Sequence, residues 1–442
     1  MKADTHEHQP IPRDLGDGLV LRRATPQDIE PLIAFLNSIF DAFPGDGVVR
    51  AIIDGLWPVG SLDHFTIVED TRSGAIVSSL TLFARTCVYG GIPFGVGQPE
   101  FVATHPDYRR RGLIRAQMET VHAWSEARGD LMQIIDGIPN YYRQFGYEYA
   151  VDLNYGQVGF QPYVPKLKEG EVEPYHLRPA TPADAPFIAD LSAFAQHRYL
   201  ASTTLDEHFW RGRALWSQSD DPYRPALRII EASNGKPVGY ILHPSSLRGD
   251  HQIVCFAYEL QPGLAWLPVS LSVVRALCAT GEEYAKRENK TFGTFHFQLG
   301  LDHPVYEALA DLLPRHLGPY ALYVRIPNLA GFLQHIAPVL EERLATSVLV
   351  GYSGELKISF YRAGLRLLFE HGRLQAAESW QPTVEDGGQA AFPDLTFLQL
   401  LMGYRSLEEL EYAFKDCLHR SDEARALLRA LFPKQTSYIF PN

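Results

Sequence analysis

Val102-Ala103-Thr104-His105-Pro106-Asp107-Tyr108-Arg109-Arg110-Arg111-Gly112-Leu113-Ile114 is the stretch whose reading decides the fold. Residues 100–104 are mostly apolar and read as a strand, and Pro106 ends its pairing by removing a ladder donor. Beyond the arginine turn, Leu113, Ala116, Met118, Val121, Ala123 and Trp124 mark a helical stripe that stops at Arg128-Gly129. The first turn of such a helix carries unpaired amides and the positive end of the dipole, so the layout suits a phosphate. Taken alone, three consecutive arginines fit a solvated helix start equally well.

Downstream, Leu131-Met132-Gln133-Ile134-Ile135-Asp136-Gly137 has the pattern of a short buried strand, and Tyr142-Arg143-Gln144-Phe145-Gly146-Tyr147 that of a short helix stopped by glycine. By itself Tyr142 reads as an amphipathic core aromatic. In register, the two segments point further. Arg109-x-x-Gly112-x-Ile114 resembles the Arg/Gln-x-x-Gly-x-Gly/Ala signature of the GCN5-related N-acetyltransferases (GNAT), departing from it at Ile114. The segment from Tyr142 to Tyr147 resembles their Tyr-x-x-Phe/Leu-Gly-Phe/Tyr helix.

The resemblance implies acetyl-coenzyme A as co-substrate and no metal. Its pantetheine arm would lie along Val102, Ala103 and Thr104, and its pyrophosphate at Arg109, Arg110, Arg111, Gly112, Leu113, Ile114 and Arg115. Gly137 and Ile138 would line the reacting end, and Tyr142 would protonate the departing thiolate, since a phenol of ordinary pKa is protonated at neutral pH. For the base two readings stand. Eis-like (enhanced intracellular survival) members use the terminal carboxylate, here that of Asn442, and the rival is Glu100 in the strand before the loop.

The chain has 442 residues, 46% hydrophobic and 21% charged, a size and composition that predict about three domains. Cys87, Cys255, Cys278 and Cys417 form no Cys-x-x-Cys pair and read as reduced, packed thiols. No apolar run approaches a membrane span, and the start of the chain lacks the apolar core of a signal peptide, so the expectation is a cytoplasmic protein with no membrane partner. A net charge of −12 argues against nucleic acid as a partner and suits a cationic substrate.

Leu21-Arg22-Arg23-Ala24-Thr25-Pro26-Gln27-Asp28 is answered by Leu177-Arg178-Pro179-Ala180-Thr181-Pro182-Ala183-Asp184. Each ends a strand and opens a helix with Thr as N-cap and Pro at the first turn, which reads as a duplication. Where the second copy should carry its phosphate loop, residues 261–268 contain no arginine, so that copy is expected to be degenerate and its Tyr306 structural. Beyond it, a helix over 332–344 and strands over 347–350, 355–360 and 366–370 are expected. The segments 392–403 and 407–431 resemble the sterol-carrier-like (SCP2-like) domain of the Eis group.

The fold expected is therefore α/β (α+β), with tandem GNAT folds on mixed central sheets. A flexible N-terminus spans 1–17, a catalytic GNAT domain 18–160, a degenerate second one 171–328 and an SCP2-like domain with its tail 329–442. The function implied is N-acetyl transfer to a primary amine by direct attack, with aminoglycoside, polyamine and lysine-like acceptors all open and a homo-oligomer, hexameric by resemblance, as the assembly. The competing function is a coenzyme A- or lipid-binding sensor or scaffold without turnover. The acceptor pocket is expected from residues 37–60 and the second copy.

Overall fold

The computed structural model describes residues 11–40, 45–249 and 251–440. Its central feature is a nine-stranded mixed sheet in the order Arg13–Gly16, Leu19–Arg23, Phe65–Asp70, Ala75–Tyr89, Ile92–Thr104, Met132–Ile135, Tyr320–Arg325 and Glu148–Leu153, with Ala201–Thr203 added beside Ala75–Tyr89. The helix Leu113–Arg128 packs on one face.

The parallel pairing of Ile92–Thr104 with Met132–Ile135 lasts only two positions, Val96 with Met132 and Gly97 with Gln133. On the other side of the long strand the register slips between Ser79–Ala103 and Thr81–Glu100, leaving an extra residue, and Phe101 takes φ 51°. Such a bulge bends and twists its strand. Residues 98–104 thereby part from Met132–Ile135, whose opposite edge pairs with Tyr320–Arg325 over Gln133 to Ile135.

The two related folds exchange strands. Gly156–Phe160 leaves the first fold and lies antiparallel to Thr294–Phe297 of the second, while Tyr320–Arg325 enters the first sheet between Met132–Ile135 and Glu148–Leu153. The sequence repeat is matched bond for bond. Arg22 clamps both carboxylate oxygens of Asp28 at 2.7 and 2.8 Å and reaches Glu69 at 2.7 Å. Arg178 does the same to Asp184 at 2.8 and 2.7 Å and to Glu231 at 2.6 Å. Thr25 and Thr181 both complete capping boxes, each worth about 1 kcal/mol.

The C-terminal part has its own five-stranded sheet and shares one core with the first. Phe94, Val96 and Ile134 pack in a single cluster with Phe332, Phe369, Phe397 and Leu428. Two local expectations are corrected here. Residues 347–350 form a turn, with Val348 90% exposed, because no strand lies beside them to pair with. The helix expected over 332–344 is two helices, Leu329–His335 and Ala337–Ala345, parted where Pro338 removes an amide donor. Among the described residues no helix is long and apolar enough to cross a membrane.

Buried histidines make stability depend on pH. Burial pushes His243 and His296 down to about 4 from the ordinary 6.5. Between those values the unfolded chain binds protons that the folded one refuses, so this contribution is complete above pH 6.5 and is lost as pH falls towards 4. The Tm should therefore drop steadily from pH 6.5 to 4.5, with a shallower slope in His243→Gln; melts of the two proteins over that range make the comparison.

Candidate active site

The loop after the long strand is anchored by Tyr108, whose hydroxyl donates to Asp70 at 2.8 Å. Arg110 and Gly112 then adopt φ of 64° and 76°, curling the chain so that Gly112 is the N-cap of Leu113–Arg128. The first helical bond is from the Ala116 amide to the Gly112 carbonyl at 3.1 Å. Among the described residues no acceptor takes the amides of residues 110–115.

Four guanidiniums surround these amides. Arg109 donates to the Thr104 carbonyl at 3.4 Å, Arg111 to that of Asp107 at 3.2 Å, and Arg115 to Gln144 at 3.0 Å. Arg110 is exposed. None of the four forms an ion pair among the described residues, which leaves their charge to an external anion. A Cβ built on Gly112 meets nothing within 4 Å, so the space before the amides is open. A pyrophosphate fits this combination of free amides, unpaired cations and room. Ile114 is half-buried and packs against the cluster that contains Tyr142, which accounts for a large residue where the signature has a small one. Leu113 is buried as well.

Along the parted strand, Ala103 is buried, Val102 packs against the Tyr142 cluster, and Thr104 is bonded to Ser78 at 3.0 Å. Glu100 is half-buried and accepts from Gln98 Nε2 at 2.7 Å. Opposite stands Tyr142, on the turn Tyr142–Phe145 that Gly146 closes at φ 85°. Its ring is 3% exposed, among Leu80, Met118, Ile135, Tyr147 and Tyr323. Burial first, and then the neighbouring Glu100 charge, hold its phenol well above the usual tyrosine range. Gly137 makes this seat possible: a Cβ there would overlap the Tyr142 ring. Ile138, next to it, is 63% exposed, an apolar surface beside the opening.

Sequence reasoning missed the residues that fix this segment. Tyr320 donates to the Gly137 carbonyl at 3.0 Å and is bonded to Tyr149 at 2.7 Å, while Tyr323 reaches the Ile138 carbonyl at 3.5 Å. They arrive on the exchanged strand, and no local signal connects positions so far apart. Gln98 was also missed. Asn442 lies outside the described residues. The tail before it is buried: Tyr438 bridges to Ser202, and Phe440 donates its amide to Thr203 at 3.0 Å while its ring packs on Phe209 and Trp210. Phe101 borders that same cluster. Also among the described residues, no group of three or more His, Cys, Asp or Glu is placed to hold a metal ion.

Gly112→Glu should abolish coenzyme A binding, because it adds bulk and negative charge in front of the free amides. Gly112→Ala carries the same left-handed strain, of order 1 kcal/mol, without the charge and should retain binding within about tenfold. Calorimetric titration of both folded variants with coenzyme A tests the loop.

Residues 20–150 match the acetyltransferase (GNAT) domain family. No curated protein matches the sequence. Among solved structures, a GCN5-related N-acetyltransferase from Anabaena variabilis is similar at TM-score 0.65 and 15% identity, covering 96% of this chain and 99% of that one. A probable N-acyltransferase from Enterococcus faecalis gives 0.63 and 15% over 95% and 97%, and an Eis protein from Mycobacterium abscessus 0.60 and 14% over 96% and 99%. At these identities the structural likenesses establish the fold. With the domain match, they make residues 20–150 a GNAT acetyltransferase domain and the chain an acyltransferase.

Proposed function

We propose that the chain is an N-acetyltransferase acting on a primary amine by direct attack, with Tyr142 as general acid. Acetyl-coenzyme A supplies a thioester already activated for acyl transfer, so no covalent enzyme intermediate is required. The observation that carries the reading is the pairing of an anion loop with Tyr142 and Glu100 across the parted strands. A sensor for coenzyme A needs the loop alone.

Each residue has a defined task. The amides and arginines of residues 109–115 hold the anionic end, and residues 102–104 offer a strand edge along which the rest extends. Tyr142, kept protonated by its burial, holds a proton at Oη for the leaving group. Glu100 accepts the proton that an ammonium must lose before it attacks. The terminal carboxylate of Asn442 is the second candidate for that step, supported by the course of the tail up to Phe440. On family resemblance residues 329–442 are sterol-carrier-like and the protein assembles as a homo-oligomer, and on the sequence pattern its setting is cytoplasmic.

Tyr142→Phe should lower kcat by about ten- to a thousandfold with cofactor affinity unchanged, since a general acid acts in the transition state. Wild-type kcat should show no loss through phenol ionisation up to pH 10, because the Tyr142 value is raised. Full turnover in the variant would leave Tyr142 a packing residue. For the base, Glu100→Gln is set against deletion of residues 441–442. The deletion is kept short because removing Phe440 would also open the aromatic core. The variant that loses kcat while keeping cofactor affinity identifies the group.

A further inference from the structure

Among the described residues, Arg85 and Arg213 are buried without an ion pair. Arg85 is 8% exposed and Arg213 6%, and Arg85 Nε and Nη2 and Arg213 Nε have no hydrogen-bond partner. Arg213 lies over the rings of Trp57, Phe209 and Trp216, with centroids at 4.5, 5.2 and 5.2 Å. Burial lowers both guanidiniums, and the Arg85 charge contributes to bringing Arg213 to about 9, so the two are electrostatic neighbours. Buried charges are ordinarily paired, and a buried cation beside a second cation calls for a negative partner.

The position of Arg85 suggests where that partner comes from. Phe65–Asp70 stops pairing with Ala75–Tyr89 at Thr81, and Ala201–Thr203 takes up pairing only at Cys87. In the gap lies a cavity of about 350 Å³ whose walls include Arg85, Thr203 and Phe209 together with Arg128, Asp130 and Asp206, the Asp130 carboxylate being paired with Arg128 and that of Asp206 accepting from the Phe209 amide. Register places Arg85 opposite Val96 and Phe83 opposite Gln98, so strand alternation brings Arg85, Gln98 and Glu100 to one face of the sheet. Gln98 donates to Glu100 and keeps a buried, unpartnered Oε1. Arg85 and Glu100 are also electrostatic neighbours. Four residues separate Val96 from Glu100, about 13 Å of strand, part of which the long arginine side chain spans.

We propose that Arg85, supported by Arg213, binds a carboxylate of the acceptor while the amine of the same molecule lies at Glu100 and Tyr142. This rests on the acyl-transfer reading and narrows it: the acceptor is an amino acid with several bonds between amine and carboxylate, and not a polycation. The two unpartnered atoms of Arg85, Nε and Nη2, form the side-on fork that matches two carboxylate oxygens. A negatively charged protein with a buried positive site can thus attract an amine and still select for an acid at its other end.

The test compares ω-amino acids of four to eight carbons with alkylamines and α,ω-diamines of equal length, reading coenzyme A release. In the wild type the best ω-amino acid should exceed its alkylamine at least tenfold in kcat/KM, with the diamine below both. In Arg85→Met that ratio should fall to near one. This variant replaces an unpaired buried charge by an apolar chain, so its Tm should equal or exceed that of the wild type. Independently of turnover, hexanoate and 6-aminohexanoate should raise the wild-type Tm and leave that of Arg85→Met unchanged, and inorganic phosphate should do less than hexanoate. Equal kcat/KM for amino acid and alkylamine in the wild type, or a preference that survives Arg85→Met, would overturn the proposal. Phosphate matching hexanoate without any acceptor preference would make this a free-anion site and overturn it as well. If no amine is acetylated but the Arg85-dependent Tm shift remains, acyl transfer fails and the carboxylate site stands.

Discussion

Two strands that pair for only two residues and then part govern the rest of this molecule. The bulge at Phe101 turns residues 98–104 away from Met132–Ile135 and opens a cleft between them. Among the described residues no strand lies beside the inner edge at residues 102–104, and the helix after it starts at the mouth of the opening with its amides unclaimed. On its opposite edge Met132–Ile135 receives Tyr320–Arg325. That strand carries Tyr320 and Tyr323, which hold Gly137 and Ile138 over Tyr142. The second fold is thus part of the first fold's site, although it supplies no phosphate loop of its own.

The same parting of strands occurs in the second fold and is used differently. There Gln252–Cys255 pairs with Thr294–Phe297 while Ala257–Leu260 turns to Pro237–Pro244. The space between is filled from within. Tyr258 stacks on Phe297 at 5.9 Å, Trp266 stands edge-on to Tyr258 and His303 at 5.1 Å, and His303 Nε2 is bonded to the Tyr258 carbonyl at 2.7 Å. Tyr306, at the place of Tyr142 in the repeat, is bonded to the Leu299 amide at 3.0 Å and to the Phe297 carbonyl at 3.2 Å. Its hydroxyl ties the chain together. One architecture leaves an opening in the first copy and packs aromatic rings into it in the second.

The parts legible from sequence were those whose physics is local. Gly112 and Gly129 bound a helix because both positions need positive φ, and the observed limits, Leu113 and Arg128, are those the pattern gives. The paired helix starts at Thr25 and Thr181 are equally local. Partners distant in the chain were not legible. Gly156–Phe160 and Tyr320–Arg325 have ordinary strand patterns, and alternation tells which face is buried but not which sheet receives it. The burial of Arg85 and Arg213 has no sequence signature, since an arginine reads as surface until the elements covering it are known. Residues 347–350 misled because valine and leucine there have strand propensity and no neighbouring strand to satisfy it.

Strand exchange also dictates when the protein can become complete. During synthesis the first fold emerges with a gap between Met132–Ile135 and Glu148–Leu153, and the strand that fills it ends at Arg325. At roughly 5–20 residues per second, the ribosome exposes those two edges for about ten to thirty seconds before their partner arrives. Over the same interval Gly156–Phe160 awaits Thr294–Phe297. Neither fold can close its sheet ahead of the other, so this chain matures as one unit after translation has passed its middle, and until then it presents unpaired strand edges to chaperones and to other nascent chains.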